Sequence, residues 1–392
     1  MLMRLAQSDT AGIQRPALLA AGVAAACLFA ILLATGGKMA ALFVIGLGLG
    51  AALFHSAFGF TGAYRRAIVS RDVSGVAAQA LMLAAAILLF APILAQGGAF
   101  GHGVSGAIAP VSVSMAFGAF LFGVGMQLGG GCASGTLFTS GGGDVRMMIV
   151  LVFFCAGAFW GSLDLDWWTT LPSLGAISLA ETLGWEVAIP LQLGALLLIY
   201  GALRLIGGRN HRALWPAGGI SWQQVLHGPW PLLLGAGLLA LLNWLTLLIA
   251  GHAWSITWAF SLWAAKIAVV FGWDPLTSPF WSGGFQQAAL ARSILADNTS
   301  VMNIGIIIGA LAAGSLAGKV RPTFRIGARP LIAAVVGGLV MGYGARLSYG
   351  CNIGAFFSGV ASASLHGWVW IFAAVPGNFV GVWLRPLFGL AR

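Results

Sequence analysis

Long apolar runs separated by short polar segments set the rhythm of this chain. Runs such as Pro16 to Thr35, Val73 to Ala95, Met147 to Leu163 and Val187 to Ile206 approach or reach the roughly 20 residues a helix needs to cross about 30 Å of hydrocarbon. The pattern predicts an all-α integral membrane protein with about ten or eleven crossings. One interval is awkward. Between the polar segment 207–228 and the run starting near Ser300 an odd number of crossings is required, yet two good runs appear, Pro231 to Ala250 and Ala253 to Phe271. The stretch WDPLTSPFWSGGFQQAALARSIL, Trp273 to Leu295, is therefore expected to add a third, broken crossing.

Composition agrees with the pattern. Of 392 residues 59% are hydrophobic and 7% charged, against about 25% charged in ordinary chains. The net charge of +10 lies in the polar segments, as Arg65, Arg66 and Arg71, as Arg204, Arg209 and Arg212, and as Lys319, Arg321, Arg325 and Arg329. Such clusters orient a membrane protein, with the basic loops cytoplasmic, and do not call for a nucleic acid. Segments 96–109 and 164–181 then fall outside, and Arg4, Arg15, Arg385 and Arg392 put both ends inside. The first run is too long, and lacks the small-residue site, for a cleaved signal. The expected setting is the bacterial inner membrane, with lipid as a constant partner and tryptophans in interfacial belts.

One internal match stands out. GVGMQLGGGCASGTLF, Gly123 to Phe138, aligns without gaps on GYGARLSYGCNIGAFF, Gly342 to Phe357, and the identities include Cys132 with Cys351, Gly131 with Gly350 and Gly135 with Gly354. The charge map runs the first copy inward and the second outward, so the copies are expected to be inverted, a recurrent plan for transporters. This divides the chain into a first repeat with peripheral helices (1–206), a cytoplasmic loop (207–229) and a second repeat (230–392).

Glycine supplies the freedom for a helix to break inside a membrane, where irregular backbone survives only if protein or a cavity surrounds it. The break at 129–131 predicts a short helix restarting at Ala133 or Ser134 and ending near Gly141. Its positive end, and that of a partner after Cys351, would face one central region and favour an anion. A neutral thiol there is a weak donor that suits a soft, sulfur-bearing anion. Cys132 and Cys351 are thus the principal candidates, with Gly131, Gly350, Ser134 and Asn352 along the same path. Cys27 reads as a packed small hydrophobe, and Cys155 as packing or a support near the path. The four cysteines form no CxxC pair, which argues against a disulfide framework or a local zinc site.

At these residues the chain resembles the YeeE/YedE family, on the marks GxGxxLGGGCxxGTLF at 123–138, GxGxRxxxGCNIGAFFSG at 342–359 and SxHGWVW at 364–370. Its members include thiosulfate importers and carriers of related sulfur-containing ions. The resemblance implies an hourglass-shaped, pseudo-symmetric helical fold with re-entrant helices. It also implies S–H hydrogen bonds from Cys132 and Cys351 to a passing anion, and a small cytoplasmic sulfur-carrier protein as partner. Relatives with three functional cysteines carry the third where this chain has Gly59. A three-thiol relay therefore lacks one member here, and longer single-chain members associated with bacterial sulfur oxidation are the nearer comparison.

Other intramembrane polar residues have two readings each. Lys266 faces a cavity or snorkels; Arg346 draws an anion to the path or anchors the interface, and Gln127 holds the matching place in the first copy. Asn303 and Asn378 are expected to bond across helices, and His102, His252 and His366 to sit at helix ends without ligand spacing. No cofactor, metal or P-loop of the form GxxxxGK[ST] is indicated. The leading reading is a transporter of thiosulfate or a related small anion, not an enzyme; the alternatives are a membrane thiol oxidoreductase, which needs a second thiol in reach, and a non-sulfur pore, which leaves the paired cysteines unexplained.

Overall fold

Residues 12–392 are described by the computed structural model, and Arg4 lies outside them. The chain is almost entirely helical. Its main helices are α1 (Arg15–Thr35), α2 (Gly37–Ser56), α3 (Phe60–Ser70), α4 (Ser74–Gln96), α5 (Val113–Gly129), α6 (Ala133–Gly141), α7 (Val145–Leu163) and α8 (Trp185–Leu205). The second part holds α9 (Leu232–Ala250), α10 (Thr257–Val270), α11 (Gly284–Ala291), α12 (Asn298–Leu316) and α13 (Ala328–Leu347). It closes with α14, a π-helical turn Asn352–Phe357 continuing as Ser358–Ala361, and α15 (Leu365–Leu384).

Among the described residues ten segments are long and apolar enough to cross a membrane, and three of them, Gly37–Ser70, Val113–Gly141 and Ala328–Ala361, are helices broken in mid-course. The four apolar runs quoted above match α1, α4, α7 and α8 to within two residues. Side chains stop the chain fraying where helices begin: Ser112 Oγ accepts from Met115 N at 3.1 Å, Asp144 from Met147 N at 3.1 Å and Asp297 from Ser300 N at 2.7 Å, the usual N-cap exchange.

Glycine lets these helices touch backbone to backbone, since lipid tails leave no hydrophobic drive between helices and close van der Waals contact must replace it. A Cβ placed on Gly50 would lie 2.2 Å from the Ile306 carbonyl oxygen, and one on Gly309 2.1 Å from that of Leu47, so α2 and α12 are locked together. Gly118 faces Gly344, Gly125 faces Met341 and Gly129 faces Gly337. One series rises as the other falls, so α5 and α13, the helices that lead to the two cysteines, run antiparallel. Gly337→Ala should therefore cost about 1–3 kcal/mol by overpacking, because its Cβ would sit 2.4 Å from Gly129 N, a backbone atom that cannot yield. Gly22→Ala on α1, where a Cβ meets nothing within 4 Å, should be neutral. Thermal unfolding in detergent compares them; equal midpoints would contradict this packing.

The awkward interval resolves differently from its expectation. After α9 ends at Gly251, beside Gly103, the chain turns back into the protein: Trp254 N donates to Asn243 Oδ1 at 2.8 Å and the Ile256 carbonyl accepts from Asn303 Nδ2 at 3.0 Å. Helix α10 then leads out again alongside α7, with Phe260 on Phe154 (centroids 4.8 Å) and Ser261 donating to the Ala158 carbonyl at 3.3 Å. Farther along, Trp273 meets Phe159, centroids again 4.8 Å apart. The run Ala253 to Phe271 is thus a re-entrant excursion, and α9 alone crosses. A 14-residue helix rises only about 21 Å at 1.5 Å per residue, too little to span. Trp273 to Leu295 holds two 3₁₀ turns and the eight-residue α11, not a third crossing.

The basic segments assemble on one face. There Asp72 takes the only ion pair among the described residues, from Arg66 Nε at 3.3 Å, and accepts from Ser74 N, Ser74 Oγ and His211 N. Burial pushes this carboxyl up, but the bonds from Ser74 and His211 and the Arg66 charge outweigh it and hold Asp72 below the ordinary aspartate value. Segment 207–212 is thereby tied to the α3–α4 turn. The opposite face carries Asp164, Asp274 and Asp297, and there Pro110–Ser112 pairs antiparallel with Ser173–Ala176.

Candidate functional site

The two cysteines occupy matching breaks. Helix α5 ends at Gly129, Gly130 turns the chain at φ +90°, and Cys132 is the extended cap (φ −82°, ψ −170°) from which α6 runs to Gly141. These are the restart and stop expected from the sequence, although only Gly130 of the three glycines is left-handed. Gly131 is needed for space instead, since a Cβ there would lie 3.2 Å from the backbone of Gly135 and Thr136. In the second break Tyr349 (φ +59°) and Gly350 (φ +155°) turn the chain, and Cys351 (φ −118°, ψ −166°) caps α14. A Cβ on Gly350 would come within 2.7 Å of Ala355 N.

Both thiols are free, and they are 1% and 0% exposed, so neither face of the protein reaches them in this conformation. Cys132 Sγ lies 3.3 Å from Ser134 Oγ, and Cys351 Sγ accepts from Ile353 N at 3.4 Å. Helix α6 touches α14, and the two cysteines lie within electrostatic reach of one another. Two positive helix ends and two thiols therefore share one buried centre.

A third break joins them. Between α2 and α3 the chain turns at Ala57 (φ +46°), and Gly59 caps α3. Phe60 at its start meets Phe356 of α14 edge-on (centroids 6.5 Å), and the Thr61 carbonyl accepts from Gln127 Nε2 at 3.2 Å. Tyr64 is within electrostatic reach of Cys132 and of the Asn352 amide, without a completed hydrogen bond.

Around this centre buried polar atoms accumulate without partners: Thr61 Oγ1, Tyr64 Oη, Gln127 Oε1, and both Nδ2 and Oδ1 of Asn352. Each such atom costs about 1–3 kcal/mol when buried unpaired. A cluster of them beside two thiols is what a polar ligand or water would repay. Thr61 and Tyr64 are absent from the residues singled out in the sequence; their only signal was polarity in FTGAY directly after Gly59.

The remaining candidates separate. Gln127 is structural on its donor side, with Nε2 bonding Asn378 Oδ1 at 2.7 Å, and Asn303 and Asn378 do bond across helices or along them. Lys266 stands apart from the cysteines: Nζ donates to the carbonyls of Leu290 at 2.7 Å and Arg292 at 2.6 Å, capping α11 and the turn after it. Arg346 lies near the second break, its Cζ 4.3 Å from the Phe280 ring centre. Cys155 is half-buried on α7 and packs against the core. Cys27, read as packed, is exposed on α1, because that helix turns most of its surface outward. Gly59 is beside the centre, and a Cβ there meets nothing within 4 Å. His366 takes a 2.6 Å bond with Ser364 Oγ, and His252 bonds Asn298.

The chain that carries these breaks has relatives. The model of the Sulphur transport family matches residues 55–380. The chain belongs to that family. Of its relatives, the "Probable transporter YedE" of Escherichia coli is 33% identical over 181 residues, 43% of either chain, so the matched part spans less than half of that protein. The "Thiosulfate transporter TsuA" of Spirochaeta thermophila is 25% identical over 288 residues, 68% of this chain and 76% of its own. The resemblance to the YeeE/YedE family is thereby established: the chain is a multi-pass membrane protein, and among its relatives the Spirochaeta protein is named for thiosulfate transport. Their names favour transport over the thiol oxidoreductase considered above.

Proposed function

We propose that the protein carries thiosulfate, or a closely similar sulfur-bearing anion, inward through the centre where Cys132 and Cys351 meet. The cluster of unpartnered buried atoms on Thr61, Tyr64, Gln127 and Asn352 carries this reading. The positive ends of α6 and α14 stabilise the charge, the Asn352 amide and the two hydroxyls contact anion oxygens, and the neutral thiols meet the outer sulfur as weak donors. Sulfate offers the thiols no soft atom and gains less. Gly131 and Gly350 let the helix starts close on the ion, while Ser134 orients Cys132. The basic face is cytoplasmic by the positive-inside rule, which puts both termini there and gives each sequence copy the opposite direction. On the same basis, 1–206 and 230–392 act as two inverted repeats, and a small sulfur-carrier protein collects the anion at the basic face.

Vesicle uptake with sulfur-labelled anions tests the reading. Labelled thiosulfate should accumulate in vesicles holding the protein and labelled sulfate should not. Thiosulfate uptake no greater than in empty vesicles would overturn it.

A further inference from the structure

A polar cavity lies beside the second break, on the acidic face. Its volume is about 110 Å³, and its lining includes Ser255, Thr257, Ser261, Arg346 and Tyr349. Tyr349 precedes Cys351 by two residues, and Ser255 Oγ lies 3.4 Å from where a Cβ on Gly354 would stand, so the cavity abuts the start of α14. Trp258, also in the wall, donates to Asp297 Oδ1 at 2.9 Å.

The chemistry of this wall is one-sided. Arg346 is in no ion pair among the described residues, and its Nε is buried without a partner. Among the described residues no group bonds the hydroxyls of Ser255, Thr257 or Tyr349, while Ser261 spends its proton on the Ala158 carbonyl. Of the carboxylates on this side, Asp297 is bonded by Trp258 and Ser300 N, and Asp164 by the Tyr343 hydroxyl at 2.9 Å. A guanidinium kept only as an interfacial anchor would hold its polar atoms in water. Here a nitrogen is buried against a ring and faces a cavity lined by donors.

We propose that this cavity is an antechamber that binds a small oxyanion through its oxygen atoms before the anion reaches Cys351, with Arg346 as its principal donor. The proposal rests on the transport reading above and adds a step to it. A guanidinium fork matches two oxygens of a sulfo group, and sulfate and thiosulfate present such oxygens alike. Capture is therefore indifferent to the outer sulfur, and selection falls to the thiols. Sulfate should compete for capture without being carried.

The test separates the two sites. In nanodiscs, the Cys132→Ala/Cys351→Ala protein should still bind labelled sulfate saturably, and adding Arg346→Gln should weaken this by about tenfold or more, the scale of losing charge-assisted hydrogen bonds. Ser255→Ala in the same background should weaken it by about threefold and decides the matter if the arginine variant does not fold. In uptake, Arg346→Gln alone should raise the half-saturating thiosulfate concentration and abolish sulfate competition, with the maximal rate nearly kept. Sulfate affinity unchanged by either substitution, or no saturable binding in the double cysteine variant, overturns the antechamber. Failure of the thiol reading would show elsewhere, as full uptake by the cysteine variants with sulfate binding intact.

Discussion

Cys351→Ala should lower thiosulfate uptake at least about tenfold, and Cys132→Ala by a similar factor. A tenfold change corresponds to 1.4 kcal/mol, within the range of one hydrogen bond whose loss strands a buried partner. The two effects should not add. Each cysteine stands at the N-cap position of its own half-helix, and the half-helices touch, so on the proposed path an ion leaving one donor reaches the other, and removing either interrupts a single passage. Neither substitution should unfold the protein: each sulfur makes one weak contact, with Ser134 Oγ or Ile353 N, and alanine leaves the broken backbone in place. Cysteine-to-serine variants sharpen the test. Serine keeps a donor but is harder and shorter, so it should restore sulfate-like contacts better than thiosulfate uptake. Wild-type uptake by both alanine variants at matched protein levels would sink the thiol path.

The second large effect concerns Asn352. Its amide is fully buried, with neither end hydrogen-bonded, and so burdens the folded state by about 1–3 kcal/mol. Leucine has a similar shape and no such burden. Asn352→Leu should therefore raise the melting temperature in detergent while cutting uptake at least tenfold, since the amide proposed to meet the ion is gone. A purely structural asparagine would behave in the opposite sense: loss of stability, with transport reduced only as far as the protein is lost. Measuring both quantities on one preparation distinguishes them, and a destabilised variant with normal uptake per folded molecule would refute the role given to Asn352. Sites that hold polar atoms ready for a ligand commonly trade stability for function in this way.

Much of this could be read along the chain, and the reason is physical. In hydrocarbon every backbone group must bond within its own segment, so a long apolar run has little choice but to be a helix, and α1, α4, α7 and α8 fall within two residues of their runs. The cysteine breaks were legible for a related reason: glycine runs beside a polar residue inside such a helix have few uses, and the duplication of GC with a following glycine marked both. Local sequence also foresaw α6 from Ala133 to Gly141.

Tertiary structure decided what depends on neighbours. Whether Ala253 to Phe271 crosses or returns is set by where Asn243, Asn303 and Phe154 stand to receive it, and an apolar run of intermediate length permits either. Lys266 could face a path or a surface until the carbonyls of Leu290 and Arg292 claimed it. Thr61 and Tyr64 are ordinary polar residues until α3 is brought against α14. By itself the sequence determined a helical membrane protein with two glycine-cysteine breaks, because solvent and backbone hydrogen bonding act on each segment separately. Only the packed structure decided which buried polar atoms lack partners around those breaks, because satisfaction of a hydrogen bond is a property of two groups and not of one.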